Sequence, residues 1–300
     1  MEIWIVLSLA AALFQTLRFM LQKKMAQVTL SASGATFARF VYSAPLAVLA
    51  AAILLLNIAE PVALPGAQFW GFAVAGGTAQ ILATVCTVLL FGRRNLAVGM
   101  AFIKVEVLLT LLLGWIVLGE PATPVALAAI FAGVAGLLVL SGAIKEAAHW
   151  GGRFFTRSAA LGLAAGALFG VSAVSYRGAT LEIGLADPFQ RAILTLAAVT
   201  SLQLLAMALW LGWRDRGQIG KVLSAWRSAS WIGMTSLAGS FFWFTAFTLQ
   251  NAAWVKAVGQ VEVIFGIIAS VLFFRESISR REYLGIALIS LSILALILLG

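Results

Sequence analysis

Apolar runs of about twenty residues, separated only by short connectors, leave this chain one solvent. A helix needs ~20 apolar residues to cross the hydrocarbon core of a bilayer. Runs of that length are predicted at 2–21, 34–56, 67–91, 96–118 and 124–143, and again at 158–177, 188–212, 229–249, 254–274 and 281–299. Hydrophobic residues make up 62% of the chain and charged residues 10%, against ~45–50% and ~25% in soluble domains. No aqueous fold could hide that much apolar surface. The residues do not alternate as lipid-facing strands do, so the expected fold is an all-α integral membrane protein of about ten transmembrane helices. The first run lacks a basic leader and a small-residue cleavage site, and is read as a retained span rather than a signal peptide.

A second feature organises these runs. The stretch Asn95–Glu120 returns at Asn251–Glu276, displaced by 156 residues: Asn95 with Asn251, Ala97 with Ala253, Val105-Glu106-Val107 with Val261-Glu262-Val263. Weaker echoes link Ala12-Leu13-Phe14 with Ala167-Leu168-Phe169, and Phe37-Ala38-Arg39 with Phe189-Gln190-Arg191. The chain divides into a first five-helix repeat at 1–143, a polar connector at 144–157 and a second repeat at 158–300. Five is odd, so the second repeat must enter the membrane from the opposite side, which makes the pair an inverted-topology repeat.

Basic residues concentrate in the odd-numbered connectors, from Lys23 and Lys24 through Arg93 and Arg94 to Arg280 and Arg281. The even connectors have only Arg177 at the edge of the sixth and Lys256 just past the eighth. The positive-inside rule then puts odd connectors in the cytoplasm and both termini outside. The net charge of +9 follows from these connectors and their attraction to lipid headgroups, not from a nucleic-acid partner. Pro45 lies inside the second run and predicts a kink there.

Ten spans in two repeats, with Leu118-Gly119-Glu120-Pro121 and Phe274-Arg275-Glu276-Ser277 closing the fourth span of each and Ala38-Arg39-Phe40 in the second, resemble the drug/metabolite transporter superfamily and its EamA type. The resemblance covers 2–299. It implies a secondary transporter of the inner or plasma membrane with a central cavity, exporting amino acids or other small metabolites.

The rare polar groups inside the runs are the candidate site. Glu106 and Glu262 stand about ten residues into their runs, near the midplane, where a carboxylate costs ~2.5–3.5 kcal/mol. Each either carries protons or touches solute, or else forms a structural pair, Glu106 with Arg39 and Glu262 with Arg191. One charge of each sign per half favours pairing. Lys104 stands where the second copy has Gln260, so it is the charge that internal symmetry does not demand, and the favoured substrate-determining residue. Residues two apart on a helix diverge by ~200°, which predicts different partners for Lys104 and Glu106.

Gln15 and Arg18 share a face of the first span, although Arg18 is expected to reach cytoplasmic headgroups beside Lys23 and Lys24. Gln80 and Thr84 in the third span, Tyr176 in the sixth and Trp243 in the ring-rich eighth complete the candidate lining. Gly162, Gly166 and Gly170 mark a close-packing face for another helix.

These features favour a transporter of small organic solutes, working by alternating access and driven by protons. No phosphate-binding Gly-x-x-x-x-Gly-Lys-Ser/Thr loop occurs, which excludes direct ATP coupling. A passive channel or lipid scramblase is the alternative. A membrane-embedded enzyme is disfavoured by the single histidine (His149), the single cysteine (Cys86) and the lack of clustered acids. The same scarcity predicts no metal and no cofactor. The partners expected are solute and lipid; a homodimer is compatible with the sequence but not specified by it.

Overall fold

The computed structural model describes residues 2–58, 62–120, 128, 157–280, 283–288, 290 and 291. The predicted fifth span and the polar connector lie almost wholly outside the described residues, and most of the tenth span does too. Secondary structure among the described residues is entirely helical.

Helices α1 (Ile3–Val28), α2 (Ala32–Asn57) and α3 (Ala67–Phe91) form the first three spans. The fourth is made of α4 (Leu96–Ile103) and α5 (Glu106–Leu118). The second half begins with α6 (Arg157–Leu181) and α7 (Pro188–Arg214), followed by the short α8 (Arg216–Ser224) in a connector and by α9 (Trp226–Leu249). Its ninth span comprises α10 (Ala252–Val258), a 3₁₀ turn at Gly259–Val261, α11 (Glu262–Ile268) and a π turn at Ala269–Phe273. Eight of these segments are long and apolar enough to cross a membrane.

Local chemistry sets the boundaries. The Ser31 hydroxyl accepts the Gly34 N–H at the start of α2, and Asp187 accepts the Phe189 N–H beside Pro188 at the first position of α7, each satisfying donors that a helix start leaves free. Gly119 ends α5 at φ 68°, a left-handed conformation that glycine adopts without strain. Helix α2 runs through Pro45 without interruption.

The helices interlock between halves. Helix α3 lies along α6, and the corresponding α9 lies along α1, while α2 and α7 meet each other. Large apolar side chains remain on the outside, among them Leu56 at 86% and Trp213 at 80% exposure. A soluble monomer rarely leaves such surfaces bare; here the bilayer covers them. Trp70, Trp210, Trp226 and Trp231 are also outward and near span ends, as an interfacial belt requires.

Candidate functional site

Both copies of the duplicated span tighten at the same place. Around Lys104 and Val105 the ladder shortens, with the Lys104 N–H donating to Ala101 O at 3.1 Å and the Val107 N–H to Lys104 O at 3.3 Å. The equivalent turn in the second half is the 3₁₀ segment Gly259–Val261. Immediately after each turn comes the carboxylate, Glu106 opening α5 and Glu262 opening α11. The first turn of a helix carries free N–H groups and the positive end of its dipole, so negative charge is tolerated there even at depth.

The tightened turn is shaped by α6. A Cβ on Gly166 would sit 2.4 Å from Val105 Cγ1 and 2.7 Å from Ile103 O, and one on Gly162 would sit 2.5 Å from Phe102 Cβ. The glycine face predicted for the sixth span therefore packs against the break in the fourth.

Four charges meet at these turns. Lys104 Nζ lies 2.5 Å from Glu262 Oε2 and 3.5 Å from Glu106 Oε1, and Lys256 Nζ lies 3.5 Å from Glu106 Oε2. Each lysine thus reaches the acid of the opposite half. All four are buried, with Glu106 and Glu262 each 1% exposed. The two acids are held differently. Glu262 also accepts from Gln15 Nε2 at 2.8 Å, whereas Glu106 Oε2 has no hydrogen-bond partner among the described residues.

This arrangement corrects several expectations. Arg39 does not pair with Glu106; its guanidinium donates to Ser236 Oγ at 2.7 Å, Thr84 Oγ1 at 3.2 Å and Ser240 Oγ at 3.2 Å. Arg191 does not pair with Glu262; near the start of α7, its Nε donates to Leu185 O. Lys104 and Glu106 share contacts, because the tightened turn departs from regular helical phase. Arg18 is 2% exposed and turned inward, bonded to Gln22 Oε1 at 2.9 Å and lying over the Phe19 ring, so it does not reach the headgroups. Lys256, expected at a connector's edge, is inside α10 and buried.

Beside the four charges is a small polar cavity lined by Gln15, Gln80, Phe169, Ser172, Tyr176, Ser240, Trp243, Phe244, Phe247 and Lys256. Its free volume of about 10 Å³ is room for about one water. Trp243 Nε1 donates to Gln15 Oε1 at 3.0 Å, joining the rings to the Glu262 network. Tyr176 donates to Gln80 Oε1 at 3.0 Å, and Gln203 Nε2 donates to the same oxygen at 3.0 Å. The structure thus unites Gln15, Gln80, Tyr176 and Trp243 in one lining, with Thr84 one step behind it on Arg39. Gln260 is buried in the second turn with neither side-chain polar atom bonded among the described residues.

Sequence reasoning missed Lys256 and Gln203. Lys256 had a readable signal, since it falls two residues inside the predicted ninth span, where a lone cation is as expensive as Lys104. Gln203, an amide isolated among apolar neighbours deep in a long run, gave none.

Two further ionic clusters close the ends of the duplicated spans. Glu276 accepts from Lys23 Nζ at 2.5 Å, from Ser270 Oγ at 2.5 Å and from the Leu96 N–H at 2.9 Å, and Asn95 Nδ2 donates to Ser277 O at 2.5 Å. Burial alone would raise the Glu276 carboxyl; the donors Lys23, Ser270 and Leu96 outweigh it and hold it below the usual carboxylate range. Its counterpart Glu120 pairs with Arg177, which also donates to Phe247 O at 2.6 Å and Gln250 O at 2.7 Å. Each cluster ties the two halves together. Leu96 and Leu118 bound the fourth span, which at 1.5 Å per residue puts the clusters roughly 33 Å apart, at opposite ends.

Eight helices long and apolar enough to cross a membrane, packed around a buried ionic centre, define a multi-pass integral membrane protein. Residues 156–298 match the model of the EamA-like transporter family, of the drug/metabolite transporter superfamily, so the second half of the chain is similar to that family. A solved structure described only as "Crystal structure of protein" superposes with a TM-score of 0.59 at 15% identity, covering 99% of this chain and 96% of its own. At that identity the likeness is one of fold. No curated protein matches the sequence.

Proposed function

We propose that the protein is a secondary transporter that moves small organic metabolites, amino-acid-like solutes among them, by alternating access between two inverted five-span repeats, 1–143 and 158–300. The observation that carries this reading is the exchange of charge partners at the midplane. Lys104 reaches Glu262 and Lys256 reaches Glu106, so the bonds that hold the halves together cross the solute path. The reciprocal packing of α3 on α6 and α9 on α1 supports a two-fold relation between the repeats.

The end clusters supply the gates. Opening the Glu120–Arg177 cluster while Glu276–Lys23 stays closed exposes the centre to one face, and the reverse exposes it to the other. Lone mid-membrane 3₁₀ turns are common hinge points, and here they sit beside the charges that a solute would disturb. Loop charge supports a cytoplasmic location for the Glu276 end and extracytoplasmic termini.

Glu106 is the coupling acid of this proposal. Its contacts at 3.5 Å are loose and one oxygen is unbonded, whereas Glu262 is tied by two close partners. A carboxylate held loosely exchanges a proton with less loss of structure. The test is counterflow in proteoliposomes with an imposed pH gradient. A carrier shows trans-stimulation by its own solute, and Glu106→Gln loses accumulation while keeping exchange. Flux without trans-stimulation points to a channel and ends the carrier reading.

A further inference from the structure

The buried charges do not balance. Leaving aside Lys23, which Glu276 neutralises, the membrane interior holds four cations among the described residues, Arg18, Arg39, Lys104 and Lys256, against two carboxylates, Glu106 and Glu262. Arg39 is surrounded by three hydroxyls and has no carboxylate within ion-pair distance among the described residues. Lys104 takes up Glu262 at 2.5 Å, while Lys256 keeps only a 3.5 Å approach to Glu106.

An uncompensated cation inside a bilayer is costly and marks a solute or ion pathway. The cavity carries the same bias. Lys256 lines it, and among the described residues no carboxylate does. Arg39 stands directly behind it, through Ser240. Rings surround the Lys256 ammonium: the Trp243 ring centre lies 4.2 Å from Nζ, with Phe169 at 5.9 Å and Phe247 at 6.0 Å. An amine entering this space would meet like charge, whereas a carboxylate would meet Lys256, amide donors and hydroxyls, with flat apolar walls around its body.

We propose that the solute is an organic anion, a monocarboxylate with an aromatic or apolar body, whose carboxylate replaces Glu106 as the partner of Lys256 while its body parts the rings of Trp243, Phe169 and Phe247. This rests on the transporter reading and assigns its substrate class. Lys256 is then the specificity-determining cation, and Lys104 a fixed bridge between halves. Because the cavity holds about 10 Å³, entry requires the rings and the helices behind them to separate, which links occupancy to the movement of the halves.

The experiment is binding and counterflow of three probes of matched body, 3-phenylpropionate, phenethylamine and L-phenylalanine, on the full-length protein in lipid nanodiscs and proteoliposomes. The wild type should bind and exchange 3-phenylpropionate at least tenfold more strongly than phenethylamine, with phenylalanine between them. Lys256→Met should weaken 3-phenylpropionate by about 10- to 100-fold, the scale of one charge-assisted hydrogen bond, and Lys256→Arg should restore most of it. The thermal midpoint and circular dichroism of Lys256→Met in the same nanodiscs serve as the folding control. Exchange of phenethylamine in preference to the acid would overturn this inference and leave the carrier standing, as would 3-phenylpropionate affinity unchanged in Lys256→Met. Binding of none of the three by the wild type would also overturn it, and flux of any probe without trans-stimulation would instead remove the transporter reading beneath it.

Discussion

Replacing Lys104 by methionine tests the crossed ionic centre most sharply. Lys104 is 3% exposed, and its ammonium lies 2.5 Å from Glu262 and 3.5 Å from Glu106. Without it, Glu106 keeps Lys256 at 3.5 Å, and Glu262 keeps the Gln15 amide at 2.8 Å and the longer-range attraction of the buried Arg18. Removing one member of a buried pair costs ~3–5 kcal/mol, because the other charge stays desolvated. At ~2–4 °C per kcal/mol for a domain of this scale, the unfolding midpoint should fall by roughly 10 °C. The double variant Lys104→Met/Glu262→Gln also removes the orphaned charge, and exchanging a whole buried pair for neutral groups is often close to neutral. It should therefore recover to within ~2 kcal/mol of wild type. Tryptophan fluorescence during thermal unfolding in detergent micelles measures both. A loss of under ~1 kcal/mol in the single variant, or a double variant no more stable than the single, would rule out the buried Lys104–Glu262 pair.

Gly166→Leu should destabilise the protein by at least ~1–3 kcal/mol through overpacking, because the added carbon meets the Ile103 carbonyl at 2.7 Å; an unchanged midpoint in the same assay would remove the close contact between the sixth span and the tightened turn. Glu276 gives a pH prediction. Its folded carboxyl is held below the ordinary range, so its contribution is fully present above the unfolded value of ~4.3 and disappears as pH falls through the lower folded value. The stability gap between wild type and Glu276→Gln should accordingly be constant near neutrality and close on acidification, and a gap that persists in acid contradicts the Lys23 contact.

Helix positions were legible because hydropathy reports how long the chain can remain in hydrocarbon. The run expected at 67–91 is α3 to the residue, and the ends of the run at 96–118 are the outer ends of α4 and α5. What hydropathy does not report is phase within a run or distance between runs. The tightened turns at Lys104 and Gly259 contain no proline, and a hydropathy average over the run does not mark them, so they were hidden. Pairing Arg39 with Glu106 assumed that each half neutralises itself; the structure neutralises across halves instead, and leaves Arg39 to Ser236, Ser240 and Thr84. The duplication marked Glu106 and Glu262 as equivalent positions, while Lys256, whose counterpart in the first copy is Met100, was assigned to the connector before the ninth span and so was passed over.

In the proposed cycle the two halves part alternately at clusters on opposite faces. A single cysteine at Ser240, which lines the cavity, in a Cys86→Ser background, reports which face reaches the centre through labelling by a membrane-impermeant thiol reagent in sealed vesicles of either orientation. Glu120→Ala should raise labelling from one face and Glu276→Ala from the other. If both variants open the centre to the same face, or neither changes its accessibility, the two-gate account is wrong.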